Sequence, residues 1–372
     1  MAPSVPDLEP PCTRHLGEEA DFTILDLSFE GKGVARTHGM VTFIPLTVPG
    51  DQVRARITRV EKRFCEAELL NIIQPSEIRQ TPRCLHFGSC GGCQLQTLPY
   101  EHQFALKKRS VLDALARRKV TPASVECHPA LAPWKYRTRA QLHRRSDGRY
   151  GFHAAGSHDV IAIDECPVLH ESLQVHLGNL SLHTEPTVHL GEKILGQAPP
   201  FHQINQEANE VLQQWIATKA ADFISPETIC CDLYGGSGNL THKITSLVKH
   251  TYCLDLAVPQ DQEANRTFIA GPISKTLRKI PPHDACLVIA DPPRIGLSGD
   301  LACILKHLDS ISAFILIGCD PIAFAKDASM LITHGFSLTS ILIIDFFPQT
   351  HHVETGGLFV LPSTARRLRV TT

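Results

Sequence analysis

Three cysteines stand close together in the first quarter of the chain. Cys84, Cys90 and Cys93 follow the spacing C-x5-C-x2-C, with two glycines between the last pair. Glycine lets the backbone turn tightly and direct N–H groups at sulfur, so these thiolates could share one metal centre. Cys166, which precedes a proline, is the best fourth ligand. The pattern favours a 4Fe-4S cluster over zinc, which usually has two matched C-x2-C pairs, and over buried free thiols.

A glycine-rich turn lies far from these cysteines. Residues 232–239 read DLYGGSGN after a predicted strand, and Asp255 ends the next predicted strand, 23 residues after Asp232. An acid at that position suits a ribose diol, which NAD and S-adenosylmethionine share, and a purely structural turn would look similar. The turn is not G-x-G-x-x-G, so S-adenosylmethionine is favoured.

Three further side chains follow predicted strand ends. Asp291 opens the sequence DPPR after an apolar run, Cys319 lies between a strand and a helix, and Glu354 precedes the last predicted strand. Ligands of open α/β sheets bind at such edges. We expect the nearby helix N-terminus to lower the pKa of Cys319, although a small buried cysteine is the alternative.

A thiolate and a carboxylate beside a methyl donor suit one reaction. Uracil C5 is a poor nucleophile, but a thiolate added to C6 pushes electron density onto C5, which then accepts a methyl group. A base must afterwards remove the C5 proton so that the thiolate leaves. Cys319 and Glu354 fit these roles of nucleophile and base.

Composition excludes several protein classes. The chain has 372 residues, 43% of them hydrophobic, so it is expected to fold as two or three globular domains. No apolar run is long enough to cross a bilayer and no secretion signal is visible, so we expect a cytoplasmic protein without a membrane partner. Thirteen cysteines in such a chain indicate reduced thiols or metal ligands rather than disulfides.

Charge and periodicity divide the chain. Residues 1–160 carry a net charge of +5 and residues 161–372 carry −7. RNA contact is favoured by basic clusters at residues 107–119 and 137–149, whereas the cluster at residues 54–63 is weaker evidence. Short alternating runs over residues 22–73 predict a small β-barrel. Residues 100–119 are predicted to form a helix. Residues 201–361 are predicted to form a doubly wound α/β domain with a helix from Asn239.

These motifs together resemble the iron–sulfur branch of the bacterial RNA uracil-C5 (5-methyluridine) methyltransferases, which modifies 23S ribosomal RNA. The match spans residue 22 to the C-terminus, and its motifs include FHQIN at 201–205, DPPR at 291–294 and HVE at 352–354. The resemblance implies a class I (Rossmann-like) methyltransferase domain at 201–372. It also implies a TRAM domain, an OB-like barrel, at 18–74, and an iron–sulfur loop with a reduced central RNA-binding region at 75–200. Residues 1–17 are Pro-rich and polar without periodicity, which predicts a flexible tail.

The resemblance also implies residue roles. Cys319 would be the nucleophile and Glu354 the base; the cluster would be held by Cys84, Cys90, Cys93 and Cys166; and S-adenosylmethionine would contact Gln203, Tyr234, Asn239, Asp255 and Asp291. The protein is expected to act as a monomer on a specific uridine of 23S rRNA. Transfer RNA is the alternative substrate, and a non-catalytic RNA-binding module is the alternative function.

Several positions depart from the family pattern. Gly235 stands where cysteine is common, Asp255 replaces a glutamate, and Gln349 replaces a frequent histidine. Gly318 and Asp320 replace the usual serine and asparagine around the nucleophile. Only about 35 residues separate Cys166 from residue 201, so part of the family's central domain is missing.

Overall fold

The computed structural model describes residues 14–37, 39–191, 194–195, 203–259, 263–297, 299–308 and 310–361. Most of the predicted flexible tail and the first two residues of the FHQIN motif therefore lie outside the described residues. The chain forms two compact units. Unit 1 comprises Met1–Leu106, Arg145–Pro167 and Gln349–His351, and unit 2 comprises Lys107–Arg144, Val168–Pro348 and His352–Thr372.

Nineteen strands and six α-helices are assigned within the described residues. The strands are β1 Glu19–Thr23, β2 Asp26–Leu27, β3 Gly33–Thr37, β4 Met40–Ile44, β5 Gln52–Val60, β6 Phe64–Gln74, β7 Val125–His128, β8 Ala140–Arg144, β9 Tyr150–His153, β10 Val160–Ala162, β11 Thr187–Leu190, β12 Ile194–Leu195, β13 Ile229–Leu233, β14 His250–Asp255, β15 Arg266–Ala270, β16 Cys286–Ala290, β17 Ile311–Gly318, β18 Ser337–Ile344 and β19 Glu354–Val360. The helices are α1 Tyr100–Arg117, α2 Glu171–Leu177, α3 Gln206–Ala220, α4 Ile273–Thr276, α5 Asp300–His307 and α6 Pro321–Thr333.

The N-terminal strands form one six-stranded sheet in unit 1, in the order β1-β5-β6-β4-β3-β2. Strand β5 shows why it forms: Val53, Ala55 and Ile57 are buried, while the residues between them are exposed. This alternation places apolar side chains on one face. They pack with Phe22, Ile24, Ile44 and Cys65 into a core. The predicted run of short strands is confirmed.

Unit 2 contains an eight-stranded sheet in the order β15-β14-β13-β16-β17-β19-β18-β7. Strands β13 to β17 pair in parallel, and β19 pairs antiparallel with both β17 and β18. Every residue of β13 and β16 is buried, as expected for parallel strands covered on both faces. The α/β prediction is confirmed.

Smaller elements complete the two units. In unit 1, β9 and β10 form an antiparallel pair, and in unit 2, β11 pairs antiparallel with β8 and with β12. The described helices include none that is both long enough and apolar enough to cross a bilayer.

The predicted helix from Asn239 is wrong. Residues 240–244 form turns, followed by a short 3₁₀ segment at Thr245–Leu247. Thr241 Oγ donates to Asp232 Oδ2 at 2.9 Å, and Thr245 Oγ donates to the Thr241 carbonyl at 2.9 Å. Such threonine bonds to nearby groups compete with regular helical bonding. The helix that packs in the same core as Leu240 and Ile244 is α3, which had no counterpart among the predicted elements.

Candidate active site

Strand register explains why Cys319 and Glu354 meet. Cys319 follows the last residue of β17, and Glu354 is the first residue of β19. The two strands are antiparallel, with Gly318 paired to Thr355. The carboxyl end of one strand and the amino end of the other therefore share a sheet edge. The ends of β13, β14 and β16, which run parallel to β17, lie on the same edge.

A cavity of about 970 Å³ opens at this edge, within unit 2. Every predicted catalytic and cofactor-contact residue lines it, namely Gln203, Tyr234, Asn239, Asp255, Asp291, Cys319 and Glu354. The structure thus brings together residues that are spread over 150 positions of the sequence. Its size is within the range of sites that enclose a nucleoside-sized ligand.

The glycine-rich turn is shaped by two acidic side chains. The Gly236 N–H donates to Asp255 Oδ2 at 3.0 Å, which fixes the carboxylate at the end of β14. A Cβ atom on Gly235 would lie 2.6 Å from Asp232 Cγ, so this turn conformation requires glycine there. Gly235, which stands where the family commonly has cysteine, therefore packs closely against the buried Asp232 side chain.

Tyr234 adopts a backbone conformation that is unusual for a residue with a side chain. Its φ is 61°, in the left-handed region. Its hydroxyl donates to Asp300 Oδ2 at 2.7 Å, and both residues line the cavity. Strained non-glycine residues are concentrated at binding sites, where surrounding contacts maintain them.

Asn239 is held by neighbours on α3. Its amide exchanges hydrogen bonds with Asn209 at 2.7 and 3.0 Å, and Gln213 Nε2 donates to its Oδ1 at 2.9 Å. The side chain is therefore oriented before any ligand binds.

The carboxyl groups at the sheet edge are electrostatically linked. Burial raises the pKa of Asp291 to about 7, and the carboxylates of Asp232 and Asp255 add to the shift. Burial also raises the pKa of Glu354 well above its ordinary value, and Asp291 contributes further. The Glu354 atom Oε1 finds no hydrogen-bond partner in the described part of the chain.

The expected lowering of the Cys319 pKa is wrong. Burial, followed by the charges of Glu354 and Asp291, raises the pKa of this thiol to about 11, although Arg294 opposes the shift. The following helix α6 does not compensate, because the Asp320 carboxylate caps it and accepts from the N–H groups of Ile322 and Ala323 at 2.9 and 2.8 Å.

Three cavity residues received no role from the sequence. Arg294 Nη2 lies 3.2 Å from His352 Nε2, and the Phe347 ring packs edge-on to the His352 ring at 5.9 Å. Arg294 belongs to the DPPR motif, which was a usable signal. Phe347 and Asp300 carried none, because only the folded chain brings them to the cavity.

The four cysteines predicted as metal ligands are neighbours in unit 1. Burial raises the pKa of Cys93 to about 12, and the charges of Cys166, Cys90 and Cys84 add to the shift, while a hydrogen bond with Gln96 opposes it. Among the residues that the structure describes, no group of three or more His, Cys, Asp or Glu side chains is placed to hold a metal ion. The four thiols lie close enough for the charges of Cys84, Cys90 and Cys166 to act on Cys93.

Backbone contacts hold the cysteine loop in place. The Gly91 N–H donates to the His153 carbonyl at 2.9 Å. A Cβ atom on Gly91 would lie 3.1 Å from that same oxygen, so glycine allows the close approach. The Gly92 N–H points at Cys90 Sγ at 3.4 Å.

Comparisons with known families divide the chain in the same way. The family described as TRAM domain matches residues 14–70. The family described as tRNA (Uracil-5-)-methyltransferase matches residues 279–361, which include Asp291, Cys319 and Glu354.

Relatives cover nearly the whole chain. An uncharacterized RNA methyltransferase of Protochlamydia amoebophila is 31% identical over 92% of this chain and 97% of its own. The 23S rRNA (uracil(1939)-C(5))-methyltransferase RlmD of Pseudomonas fluorescens is 26% identical over 92% of this chain and 94% of its own.

A solved structure shares the fold. The Pyrococcus abyssi tRNA (uracil-54, C5)-methyltransferase, solved with S-adenosyl-L-homocysteine, superposes with a TM-score of 0.68 over 91% of this chain and 99% of that one, at 20% identity. Together with the family matches and the relative at 31% identity, this leads to one conclusion: the chain belongs to the RNA uracil-C5 methyltransferase family and carries an N-terminal TRAM domain.

Proposed function

We propose that this protein methylates C5 of a specific uridine in 23S rRNA, using S-adenosylmethionine. The observation that carries the proposal is the pairing of β17 with β19, which places a thiol and a buried carboxyl at one cavity. The relatives named as 23S rRNA methyltransferases favour ribosomal over transfer RNA as the substrate. Because the reacting carbons lie inside the base stack, the target uridine must flip out to reach Cys319.

Cys319 and Glu354 divide the chemistry. The Cys319 thiol would lose its proton to water, and its sulfur would bond to C6 while the displaced electron pair moves onto C5. C5 would then bond to the methyl carbon as the bond between that carbon and the sulfonium sulfur breaks, and S-adenosylhomocysteine would leave. Glu354 then takes the C5 proton, the C5–C6 double bond re-forms, and the sulfur–C6 bond breaks. A carboxyl with a raised pKa is a stronger base than an exposed one and suits this removal.

The cofactor residues have separate tasks in the proposal. Asp255, fixed by the Gly236 N–H, would accept hydrogen bonds from a ribose diol. Gln203, Tyr234 and Asn239 would line the remainder of the cofactor site, with Asp291 beside the reacting centre. S-adenosylmethionine supplies the methyl group and a positive sulfonium charge.

The same electrostatics implies an order of events. In the free protein, burial and then the charges of Glu354 and Asp291 raise the pKa of Cys319, so that it is a thiol at neutral pH. A cation placed beside Asp291 would offset those charges and lower the pKa of the thiol. Cys319 is therefore expected to become nucleophilic only when the cofactor site is filled.

Two substitutions test the catalytic roles. Cys319→Ala should abolish 5-methyluridine formation, because no adduct can form. Glu354→Gln should form the covalent RNA adduct but release it slowly, which a denaturing gel with labelled RNA detects as a shifted band. Normal product from Cys319→Ala, or no adduct with Glu354→Gln, would contradict the mechanism.

Mass-spectrometric mapping tests the substrate. Ribosomal and transfer RNA from cells with and without the protein should differ at a 23S rRNA uridine. A difference confined to transfer RNA would support the alternative substrate, and no difference would support a non-catalytic binding module.

We further propose that Cys84, Cys90, Cys93 and Cys166 hold a 4Fe-4S cluster. The spacing and the mutual proximity of the thiols support this assignment. Each thiolate of such a cluster binds a different iron atom, so the four sulfurs need not converge on one point as zinc ligands do. We assign the cluster a structural role, because no second redox group is proposed.

Metal analysis tests the cluster. Protein purified without oxygen should contain about four iron and four sulfide per chain, and Cys90→Ser should lose most of both. Cys127→Ser, which changes an exposed thiol outside the loop, is the matched control. One zinc per chain with no iron would contradict the cluster and support a zinc site instead.

A further inference from the structure

The segment that precedes Glu354 accepts hydrogen bonds along its backbone. Residues 346–349 present four successive backbone carbonyls, and each accepts a hydrogen bond from a group elsewhere in the chain. The donors are, in order, Asn205 Nδ2 at 3.2 Å, Lys107 Nζ at 3.0 Å, the Tyr136 hydroxyl at 3.0 Å, and the N–H groups of Gln94 and Leu95, both at 3.0 Å. We call residues 345–349 the base-leading segment.

Gln349, the last residue of this segment, pairs with Gln103 in unit 1. Gln103 Nε2 donates to Gln349 Oε1 at 3.0 Å, and the Gln349 N–H donates to Gln103 Oε1 at 3.0 Å. Both side chains are buried. Gln349 has a φ of 69°, so these bonds hold a backbone conformation that a non-glycine residue rarely adopts.

The same residue is tied to the cysteine loop. The Gln349 carbonyl accepts from Gln94 and Leu95, which directly follow Cys93. Gln103 Nε2 also donates to the Leu95 and Leu98 carbonyls at 3.1 and 2.7 Å. One buried amide therefore fixes both the loop after Cys93 and the base-leading segment.

Glu354 depends on this backbone for its position. It lies five residues after Gln349, and its Oε1 has no hydrogen-bond partner among the described residues. A carboxyl that is not fixed through its own oxygen is placed mainly by the chain that carries it. A displacement of about 1 Å at a reacting group lowers a rate by as much as about 100-fold.

We propose that Gln103 and Gln349 are positioning residues for removal of the C5 proton. The inference rests on the proposed function, because it assigns them to the step performed by Glu354. The pair holds the base-leading segment so that the Glu354 carboxyl meets the C5 proton after methyl transfer, while adduct formation by Cys319 proceeds without it.

The test separates this role from simple loop stabilisation. Gln103→Met keeps the side-chain volume and removes all four bonds. Gln349→Asn keeps all three hydrogen bonds of the residue 349 backbone. Asparagine also tolerates a positive φ better than glutamine, and its side chain is too short to reach Gln103 Nε2. The matched control is Gln80→Met, because Gln80 Nε2 donates to the Gln96 and Leu98 carbonyls of the same loop and not to Gln349.

Each variant is assayed below its own melting temperature for 5-methyluridine and for covalent RNA adduct. Gln103→Met and Gln349→Asn should lower product formation by about 10- to 100-fold and accumulate adduct, as Glu354→Gln does. Gln80→Met should accumulate no more adduct than wild type.

Provided that Glu354→Gln accumulates adduct, two results would overturn the inference. One is loss of product without extra adduct in both Gln103→Met and Gln349→Asn. The other is as much adduct with Gln80→Met as with these two variants. Failure of Glu354→Gln to accumulate adduct would instead overturn the proposed function.

Discussion

Asp291 lines the same cavity as the residues proposed to bind the cofactor and to react. Burial raises the pKa of Glu354 and of Cys319, and the Asp291 carboxyl adds to both shifts. The pKa of Asp291 itself is raised to about 7 by burial and by Asp232 and Asp255. Between pH 4 and 7 the folded protein therefore retains a proton that the unfolded chain has already released. Stability from this group is complete below pH 4 and is lost as the pH rises through 7.

Asp291→Asn should raise the melting temperature relative to wild type, by an amount that grows from pH 4 to pH 7 and then levels off. We expect about 1–2 kcal/mol at pH 8, because the carboxyl partly faces the cavity and water offsets some of the burial. Thermal unfolding across this pH range measures the effect. Asp113→Asn, on the exposed face of α1, is the control and should follow the wild-type curve. A pH-independent difference would contradict the assignment.

Sequence spacing predicted which residues line the cavity but not their electrostatics. Cys319 and Glu354 were identifiable because each adjoins a strand end, and strand ends define ligand-binding edges. The sign of the Cys319 pKa shift was not predictable, because it depends on carboxyls 28 and 35 positions away along the chain. Their distance from the thiol is set by the β16-β17-β19 register alone.

Among the elements, helix α1 contributes two buried polar residues to the fold. Lys107 follows Gln103 by four positions, so both lie on one helix face. Lys107 Nζ donates to Asp345 Oδ1 at 2.7 Å, and both side chains are fully buried. Asp345 Oδ1 also accepts from the Phe347 N–H at 3.0 Å.

Lys107→Met should destabilise the protein by about 3–5 kcal/mol, because it leaves a buried carboxylate without its cation. Asp345→Asn added to Lys107→Met should recover part of the loss, since the amide oxygen still accepts from Phe347. Urea unfolding measures each free energy. Lys108→Met, on the exposed side of the same helix, is the control, and a Lys107→Met loss as small as the control's would refute the role of the pair.

Elements with a regular apolar pattern were predictable, and those shaped by tertiary contacts were not. The alternation predicted over residues 22–73 is seen in β5, and the α/β pattern predicted over residues 201–361 is seen in the parallel strands β13 to β17. Helix α3 was not predicted, because some of its polar residues face the protein and not the solvent. Asn209 and Gln213, for example, bond to Asn239, so the helix lacks a clean division into apolar and exposed polar faces. Strand β7 was missed because only two of its four residues are apolar and it forms by pairing with β18.

For the whole molecule, basic residues differ in their availability to RNA. On the N-terminal sheet, Arg56 pairs with Glu19 and Glu68, both at 2.8 Å, and Arg59 pairs with Glu61 at 2.7 Å. Within the described residues, by contrast, no ion pair involves the exposed Lys108, Arg117 or Arg118 of the α1 region. Bare cations release more counterions from a polyanion than paired ones.

Replacing Lys108, Arg117 and Arg118 with glutamine should weaken RNA binding and flatten its salt dependence by about 2 in the log–log slope. The control set is Arg54, Arg56 and Arg59 replaced with glutamine, which removes the same charge from ion-paired sites. Filter binding at several salt concentrations compares the two sets. A larger effect from the control set would place the main RNA contact on the N-terminal sheet.

The hydrogen bonds of Gln349 also constrain biosynthesis. Gln103 emerges from the ribosome 246 residues before its partner, so the N–H groups after Cys93 remain solvated while most of the chain is made. Unit 1 gains Gln349–His351 only after nearly all of unit 2 has been translated. The cysteine loop and the base-leading segment therefore form their shared hydrogen bonds together, late in translation. In a chain stalled before residue 349, the N–H groups of Gln94 and Leu95 still lack the Gln349 carbonyl that they bond to in the folded protein.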